Sequence, residues 1–355
     1  MIQKSNSTVT VNTSFLKNNL DTLSCYLDPG TKIMAVVKAD AYGHGAVKVA
    51  EALEQKVDAF AVNAIQEGVE LREGGITKPI LVFEVPQEHL ISQYEKYDLT
   101  ATISAKEHFE WIPDGTSYHL NFNTGMTRMG FNADEAGEIA DLVKARPEIF
   151  CKGIYTHFAT ANDPGSDFVK KQHNIFKEVC RYFPEHLTTH IANTGGTVHY
   201  ETEQFDMVRL GIGLYGYPSG DIAVEGLKPA LSWHSSLVQI NKIKEGESVS
   251  YGATWRAPAD GYVGILPVGY EDGVKRRLSD RLRVRIREQE YNVVGTVTMN
   301  YTFVYLGKEN YPQGTRVDLL YKGNDAYHWT KQLNTIPYEA LTSIDKRIPR
   351  AYIES

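Results

Sequence analysis

Cysteine is scarce in this chain, which has three among its 355 residues: Cys25, Cys151 and Cys180. Because their number is odd and they lack the close pairing of metal ligands, they predict neither a disulfide framework nor a zinc site, and we interpret them as reduced thiols. No apolar run approaches the length that spans a bilayer. The segment Met1–Thr8 also lacks the apolar centre of a signal peptide. We therefore expect a cytoplasmic protein with no metal site and no membrane partner.

Positive charge is in short supply as well. The chain has 37 lysine and arginine residues against 44 acidic residues, a net charge of −7. This balance argues against nucleic acid or an anionic membrane surface as a partner. The 42% of apolar residues and 23% of charged residues are typical of a globular protein, and the length suits a large domain followed by a smaller one.

Short apolar runs alternate with helical patterns from Lys32 to about Gly216. Eight runs read as strands: Met34–Ala39, Ala59–Val62, Ile80–Val85, Ala101–Ile103, Tyr118–Asn123, Gly153–His157, His190–Asn193 and Met207–Leu210. Alternating strands and helices predict a parallel sheet. Eight units favour an α/β fold of the closed (β/α)8 TIM-barrel type, with an open doubly wound sheet as the alternative.

The pattern changes after Tyr217–Gly220, where strand-like runs are joined by short turns. These runs are Leu231–Ile243, Ser248–Trp255, Tyr262–Val268, Leu282–Ile286, Tyr291–Leu306 and Arg316–Tyr321. Helical patterning returns only near Asn324–Leu333. We therefore predict a barrel domain over residues 1–225 and a mainly β domain over residues 226–355.

The first strand of the predicted barrel leads into Lys38 and then into a glycine-flanked turn, Gly43–Gly45. An amine in a partly desolvated site has a lowered pKa, acts as a nucleophile and forms a Schiff base with an aldehyde. The ordinary alternative is a lysine whose head group reaches solvent at a strand end.

Polar residues also occur at the ends of later strands, where a barrel carries its chemistry. Arg128 follows the fifth strand, His157 ends the sixth, Asn193–Gly196 follow the seventh, and Arg209 lies on the eighth. Singly, each fits an ordinary structural role, such as a satisfied core histidine or a buried ion pair. Together at one end of a barrel, they predict an active site.

The loops after the seventh and eighth strands favour a phosphate site, because barrels often hold phosphate there. Thr194 offers a hydroxyl, and Gly211–Gly213 expose backbone N–H groups. Tyr251, in the β domain, is more often a packing residue, and a tyrosine acts as a base only when a nearby cation stabilises the phenolate.

Seven segments in this order resemble the alanine racemases: AVVKADAYGHG, NTGMTRMG, YTHFA, MVRLGIGLYG, SYGATW, GYEDG and RIPR. The resemblance extends from about Thr8 to Tyr352. It implies a homodimer in which each active site combines the pyridoxal-phosphate barrel of one subunit with the β domain of the other.

The resemblance also implies residue roles. Lys38 carries pyridoxal 5'-phosphate and is one base, and Tyr251 of the partner subunit is the other. Arg209 donates to the pyridine nitrogen and His157 orients Arg209. The cofactor-binding set is Lys38, Tyr42, His157, Thr194, Arg209, Gly211, Ile212 and Lys346. The substrate, a small amino acid, meets Arg128, the backbone of Met299, and Tyr270 at the entrance.

Six residues in four segments depart from the family pattern. Asn121 replaces a lysine, often carbamylated, that orders Arg128, so a chloride ion or Asn121 itself must serve instead. Thr298 and Asn300 flank Met299 where the family often has cysteine and aspartate, and Thr194 replaces a serine. Asp345 and Lys346 replace a serine and a tyrosine near the substrate side chain.

These departures leave the substrate more open than the reaction type. We expect interconversion of L- and D-alanine by a two-base mechanism, with a serine or broad-specificity racemase of the same fold as the alternative. A decarboxylase of this fold needs a cysteine in the β domain, where this chain has none. A non-catalytic pyridoxal-phosphate carrier resembles the barrel alone, and the β domain argues against it.

Overall fold

The computed structural model describes residues 6–200 and 204–354. The chain divides into a barrel unit, Phe15–Ala41 with Gly45–Lys228, and a β unit, which takes the chain up to Ser14, Tyr42–His44 and the stretch from Pro229 onward. Met1–Ser5, the first part of the segment that lacks the apolar centre of a signal peptide, lies outside the described residues. Among the residues described, no helix is long and apolar enough to cross a membrane.

The barrel unit contains the predicted parallel sheet. Its eight barrel strands within the described ranges are, in chain order, Lys32–Val36, Ala59–Val62, Ile80–Val82, Ala101–Ile103, Ser117–Asn123, Phe150–Tyr155, Thr188–Asn193 and Met207–Leu210. Each strand pairs with its neighbours in the chain, except that Ile80–Val82 and Ala101–Ile103 are the two edges, and the last strand pairs with the first through Arg209 and Met34. The short strand Phe131–Asn132 extends the sheet beside Ser117–Asn123.

The two remaining edges of this sheet meet at Leu81 and Thr100, which form a parallel bridge. The Val82 N–H donates to the Thr100 carbonyl at 2.9 Å, and the Thr100 N–H donates to the Ile80 carbonyl at 2.8 Å. The bridge completes a nearly closed barrel, so the predicted (β/α)8 fold is confirmed and the open sheet is excluded.

Helices of the barrel unit cover the sheet between successive strands. The α-helices are Thr13–Ser24, Ala46–Leu53, Ile65–Glu73, Ser92–Lys96, His108–Trp111, Ala136–Ala145, Asp167–Cys180 and Thr194–His199, with 3-10 turns at Glu54–Lys56, Glu88–Leu90, Ala133–Glu135 and Ile212–Tyr215. The helical turn Lys38–Gly43 precedes Ala46–Leu53, and its last two residues belong to the β unit. Asp167–Cys180 shows why they dock: its buried residues, such as Val169, Phe176 and Val179, recur at helical spacing along one face.

The β unit is built on a six-stranded sheet in the order Gln289–Asn292, Arg283–Ile286, Arg316–Leu320, Leu231–Ser236, Ser7–Asn12 and Arg350–Ile353. A three-stranded sheet combines Gln239–Ile243, Gly261–Leu266 and Thr302–Gly307, and a two-stranded one pairs Ser248–Val249 with Trp255–Arg256. Helices Ala326–Leu333 and Pro337–Thr342 and 3-10 turns Tyr251–Ala253 and Arg276–Leu278 complete the unit.

The N-terminal strand Ser7–Asn12 belongs to this β sheet, although the sequence grouped residues 1–225 together. It pairs antiparallel with Leu231–Ser236, and the Trp233 indole N–H donates to the Ser7 hydroxyl at 2.7 Å. The barrel unit ends at Lys228, close to the predicted division. The division into domains 1–225 and 226–355 stays a prediction.

Several predicted strands have different limits in the structure. Leu231–Ile243 and Tyr291–Leu306 each contain a break between two strands, Ile80–Val85 ends at Val82, and Gly153–His157 is Phe150–Tyr155. Two further cases lie beside Lys38 and Tyr251. Met34–Ala39 ends as a strand at Val36, because a helical turn begins at Lys38. Ser248–Trp255 is interrupted by the 3-10 turn Tyr251–Ala253, where Gly252 has a φ of 78°. Both predicted strands extended too far, through Lys38 and Tyr251. Residues with positive φ end a strand, and the hydrophobic periodicity of a sequence does not reveal them.

Candidate active site

Lys38 begins a turn of left-handed helix. Ala39, Asp40, Ala41 and Tyr42 all have φ between 52° and 54°, and Gly43 has φ 81°. A non-glycine residue in this region costs roughly 1–2 kcal/mol, so consecutive ones are an unusual amount of strain. Strain of this kind persists where surrounding structure over-determines it, and it is commonest at functional sites.

Hydrogen bonds from the barrel unit hold the first part of this turn. The Glu67 carboxylate accepts from the Ala39 N–H at 2.6 Å and, through its other oxygen, from the Asn63 N–H at 2.7 Å. Asp40 accepts from the Ala46 N–H at 2.9 Å and so joins the turn to the following helix. Glu67 therefore fixes the backbone next to Lys38. Among the described residues it forms no hydrogen bond to the Lys38 amine.

The Lys38 amine lies in a partly buried position among positive charges. Burial lowers the pKa of Lys38, Arg128 lowers it further, and Glu67 opposes them. The neutral amine, which is the nucleophilic and basic form, is therefore populated at lower pH than for an exposed lysine.

Arg209 crosses the barrel interior and is 2% exposed. One terminal nitrogen donates to Nδ1 of His190 at 2.7 Å, and the other donates to the Thr156 carbonyl at 2.7 Å and to Nδ1 of His157 at 3.0 Å. Burial lowers the pKa of Arg209 to about 10, Tyr155 opposes that change, and Arg128 adds to it. The guanidinium therefore stays charged at neutral pH although its partners are neutral groups.

The third nitrogen of this guanidinium, Nε, has no acceptor among the residues that the structure describes. All its other donors are directed at the protein. A charged donor left open at the carboxyl end of a barrel suits an acceptor atom of a ligand, such as a pyridine nitrogen. This donor set fits pyridoxal phosphate as the resemblance requires.

Arg209 contacts the ring of His157, and Gln172 contacts its backbone. Burial lowers its pKa well below the usual value, and Arg209, Arg128 and Lys38 act in the same direction. The fully buried Gln172, on helix Asp167–Cys180, donates to the His157 carbonyl at 2.8 Å and accepts from the Ala159 N–H at 2.8 Å. Lys38, Arg128 and Arg209 all lie close enough to His157 to lower its pKa, so these four residues lie together in the barrel unit.

The predicted phosphate loops are also adjacent. Thr194 begins the helix after the seventh strand, and its hydroxyl accepts from the Gly211 N–H at 3.0 Å. A side chain at Gly195 would come within 2.5 Å of the Ala161 carbonyl, and one at Gly213 within 2.8 Å of the Thr194 methyl. Small residues are thus required for the two loops, including Gly211 and Ile212, to pack closely.

Arg128 is exposed and lies in a loop whose shape is set by Asn123, which accepts from the N–H groups of Gly125 at 3.0 Å and Thr127 at 2.9 Å. Within the described residues Arg128 forms no hydrogen bond or ion pair. Asn121 is 7% exposed and forms no hydrogen bond to Arg128 there. The structure therefore leaves Arg128 available to a ligand, and the replacement for the family's lysine stays a prediction.

The remaining predicted residues lie in the β unit. Tyr42 is buried and its ring lies 5.7 Å from that of Tyr338. Tyr251 is 74% exposed, and its carbonyl accepts from the Thr296 hydroxyl at 2.9 Å. Its phenol therefore projects from a short turn that is anchored through the backbone.

Met299 and Tyr270 are exposed residues on adjoining loops. The Tyr270 N–H donates to the Thr298 carbonyl at 3.0 Å, and the Glu271 N–H donates to the Met299 carbonyl at 3.1 Å. The Asn300 amide then donates to the Glu271 carboxylate at 2.6 Å. Asn300 thus pairs with a carboxylate instead of supplying one.

Glu271, Arg347 and Asp345 form a network of charged side chains, which we call the rim network. Asp345 is one of the residues that depart from the family pattern. Arg347 donates to Glu271 at 2.7 Å and to Asp345 at 2.5 Å. These two carboxylates, Asp345 first, raise the pKa of Arg347. Asp345 is therefore engaged by Arg347, while Lys346 between them is exposed and has no partner among the described residues.

Sequence reasoning missed four residues that organise the site: Glu67, His119, Gln172 and His190. His119 and His190 carry a signal in the sequence, because each is a polar residue inside an apolar barrel strand. Glu67 and Gln172 carry none, since a charged or amide residue in a helix is ordinary.

Comparison with known proteins identifies the family. The alanine racemase N-terminal domain matches residues 11–219, and the alanine racemase C-terminal domain matches residues 230–352. The chain belongs to the alanine racemase family. It is 34% identical to alanine racemase 1 of Bacillus subtilis (strain 168), over 97% of this chain and 92% of that protein.

Solved structures of this family agree over nearly the whole chain. The crystal structure of alanine racemase from E. faecalis matches with a TM-score of 0.93 and 31% identity, over 99% of this chain and 100% of that one. Alanine racemase from Bartonella henselae with covalently bound pyridoxal phosphate matches with a TM-score of 0.88 and 26% identity, over 98% and 100%. Alanine racemases depend on pyridoxal phosphate, so the predicted family, enzyme class and cofactor are confirmed.

Proposed function

We propose that this chain interconverts L- and D-alanine with two bases, Lys38 and Tyr251 of the partner subunit, at one bound pyridoxal phosphate. The observation that carries the proposal is the group of Lys38, Arg128, His157 and Arg209 at one end of the barrel, in which the pKa of Lys38 is lowered and Arg209 keeps an open donor. Membership of the alanine racemase family supports alanine as the substrate.

Pyridoxal phosphate supplies an electron-withdrawing conjugated system that acidifies the α C–H bond of an attached amino acid. Lys38 attaches the group, and its phosphate is held by Tyr42, Thr194 and the loop residues Gly211 and Ile212. Lys346 adds a positive charge to the phosphate side. The hydroxyl, the small residues and the backbone N–H groups of these loops suit an anion.

Arg209 donates its Nε–H to the ring nitrogen. Because a guanidinium does not give up its proton at neutral pH, it fixes the position of the ring without protonating it. His157 accepts from Arg209 at 3.0 Å and keeps the guanidinium in place. Arg209 would therefore hold the ring nitrogen without supplying it with a proton, and the proton transfers would fall to Lys38 and Tyr251.

Once the substrate amine has replaced Lys38 on the cofactor, the released neutral amine of Lys38 would take the α proton from one face of the substrate. Its lowered pKa makes that form accessible, and Arg128 both contributes to this lowering and pairs with the substrate carboxylate. The phenol of Tyr251 serves the opposite face. Inversion requires a base on each face, because the proton leaves from one side and returns on the other.

Tyr251 acts on the barrel of a second subunit in a cytoplasmic homodimer. Its side chain is 74% exposed in the single chain, which suits a residue that completes a site elsewhere. Tyr270 borders the entrance and the backbone of Met299 meets the substrate carboxylate from the same side. In this proposal the barrel domain is residues 1–225 and the β domain is residues 226–355.

A chiral assay tests the function. Purified protein loaded with pyridoxal phosphate is incubated with L-alanine in D2O, and both the enantiomer and the α-deuterium content are measured. We expect D-alanine that carries deuterium, and a higher kcat/KM for alanine than for serine. Lys38→Ala is the inactive control. Higher kcat/KM for serine would favour the broader racemase, and cofactor binding without inversion or exchange would contradict the proposal.

A further inference from the structure

A line of three side chains runs through the barrel interior, away from the end that carries Lys38. It starts at Arg209, passes through His190 on the seventh strand and ends at His119 on the fifth. Arg209 donates to Nδ1 of His190 at 2.7 Å, and Nε2 of His190 lies 2.8 Å from Nδ1 of His119. All three side chains are at least nine-tenths buried.

The chemistry of these groups dictates where each proton lies. A guanidinium can only donate, so Nδ1 of His190 must accept. Burial, Arg209 and His119 lower the pKa of His190 well below its usual value, so its ring is neutral and carries its single proton on Nε2. That N–H donates to Nδ1 of His119, whose own proton must then be on Nε2.

The far end of the line opens at the other mouth of the barrel. His119 lines a cavity of about 470 Å³ with residues at the amino-terminal ends of the strands, among them Lys32, Ser117 and Thr188. Its Nε2 has no protein partner among the described residues. The cavity has polar as well as apolar lining residues, and it is large enough for water to satisfy that N–H.

Packing holds this arrangement in place. The ring of His190 stacks on that of Tyr155 at 5.0 Å with an angle of 9° between the planes. Gly153 leaves the space that His119 occupies, since a side chain there would come within 2.8 Å of the His119 ring. Burial and Arg209 lower the pKa of His119 to about 3, so its Nδ1 remains an acceptor over the working pH range.

We propose that His119 is a positioning residue: by accepting from Nε2 of His190 it fixes the tautomer of His190 and thereby the orientation of Arg209 toward the cofactor. Without this acceptor, the buried His190 N–H is left unpaired, and the tautomer with a proton on Nδ1 becomes competitive. That tautomer directs a donor at a donor and displaces Arg209. The inference deepens the proposed racemase function and rests on Arg209 acting at the cofactor.

The first test reads the protons directly in the holoenzyme. Protein labelled with ¹⁵N-histidine is studied by two-bond ¹H–¹⁵N correlation spectra, in which each variant of a histidine assigns its signals. We expect both His190 and His119 to be neutral, with the proton on Nε2. A proton on Nδ1 of His190 would overturn the inference. This readout is independent of racemisation, so it separates failure of the inference from failure of the proposed function.

The second test compares two substitutions. His119→Leu removes the acceptor, whereas His119→Asn restores an oxygen close to the position of Nδ1. We expect His119→Leu to lower kcat at least tenfold and to weaken pyridoxal-phosphate binding, with the KM for alanine within about twofold, and His119→Asn to recover most of the loss. His108→Leu is the matched control, because His108 is a 4% exposed histidine of the barrel unit outside the line.

Equal losses in His119→Leu and His119→Asn would mean that His119 acts through packing, and kcat and cofactor affinity unchanged in His119→Leu would mean that it has no role. Either result would overturn the inference. If His119→Leu does not fold, the wild-type tautomers and the His119→Asn variant decide, since the inference requires the Nε2–H form of His190 in both.

Discussion

At the scale of single residues, the site depends on positive groups placed next to one another without carboxylate partners. Arg209 bonds to two histidines and backbone carbonyls, and Lys38 shares its surroundings with Arg128. Each group then lowers the pKa of its neighbours. Such an arrangement costs stability, and its benefit is a lysine that is neutral and an arginine that donates without losing its proton.

Two charges beside Lys38 should move its pKa in opposite directions. Arg128→Gln removes a positive charge that disfavours the protonated amine, so the pKa of Lys38 should rise and its neutral form should appear at higher pH. Glu67→Gln removes a negative charge, so the pKa should fall further. The pH dependence of Lys38 acetylation in cofactor-free protein, followed by peptide mass mapping, measures both changes.

Exposed Lys346 is the internal reference for that experiment and should react identically in all three proteins. Shifts of the same sign in the two variants would show that backbone rearrangement, and not charge, controls Lys38. Backbone rearrangement must be considered because Glu67 also accepts from the Ala39 N–H, and Glu67→Gln changes that hydrogen bond.

Lys346 should influence the choice of substrate. It replaces a tyrosine of the family and is free of partners in the described residues, whereas its neighbours Asp345 and Arg347 are fixed by the rim network. Lys346→Tyr should therefore change the ratio of kcat/KM for alanine and serine, by about threefold or more, since aromatic bulk replaces a flexible cation. Competition between the two substrates gives this ratio directly.

Lys322→Tyr serves as the control for that measurement, because Lys322 is an exposed lysine of the same unit in a turn. It should leave the ratio unaltered. A ratio that is equally unaltered in Lys346→Tyr would place Lys346 outside the side-chain pocket and would remove it from the account of specificity.

At the scale of elements, the turn after Lys38 is the most unusual part of the chain. Four consecutive non-glycine residues, 39–42, adopt the left-handed conformation there, which is strained for residues with a Cβ. Hydrogen bonds from Glu67 and Asp40 compensate for the strain. The turn aims the side chain of Lys38 from a strand end while the chain continues into the helix Ala46–Leu53. Glycine substitutions can therefore separate strain from ordinary helix propensity.

Ala39→Gly should leave the melting temperature unchanged or raise it, because glycine adopts φ near +52° without steric cost. The matched substitution is Ala52→Gly in the right-handed helix Ala46–Leu53, which should lower the melting temperature by about 1–4 °C. Calorimetry of the two variants checks both values. Equal destabilisation would be inconsistent with a strained left-handed turn in solution.

The elements also show how far sequence reasoning extends. The eight barrel strands were predictable because runs such as Ala59–Val62 are buried on both faces and apolar throughout. The ends of the strands near Lys38 and Tyr251 were not, since positive φ at non-glycine residues depends on tertiary contacts. His119 and His190 were missed for a related reason: their role comes from two strands far apart in the chain that bring their rings within hydrogen-bond distance.

At the scale of the whole molecule, one compact unit carries Lys38 and the other carries Tyr251. The N-terminal strand Ser7–Asn12 belongs to the same sheet as Leu231–Ser236, a pairing of residues more than two hundred positions apart. Hydrophobic pattern gave its strand character but could not give its partner. The family resemblance supplied an expectation that neither pattern nor a single chain provides, namely a site shared between two subunits, and this stays a proposal.

Mixing two inactive variants shows whether Lys38 and Tyr251 of the partner subunit serve one site. Lys38→Ala and Tyr251→Phe subunits are combined under conditions that allow exchange, and racemisation is measured alongside the fraction of mixed dimer by mass. In a mixed dimer one site regains both bases and the other has neither. Random pairing makes half the dimers mixed, so about a quarter of wild-type activity should return. If exchange occurs and no activity returns, Tyr251 serves its own barrel and the claim is contradicted.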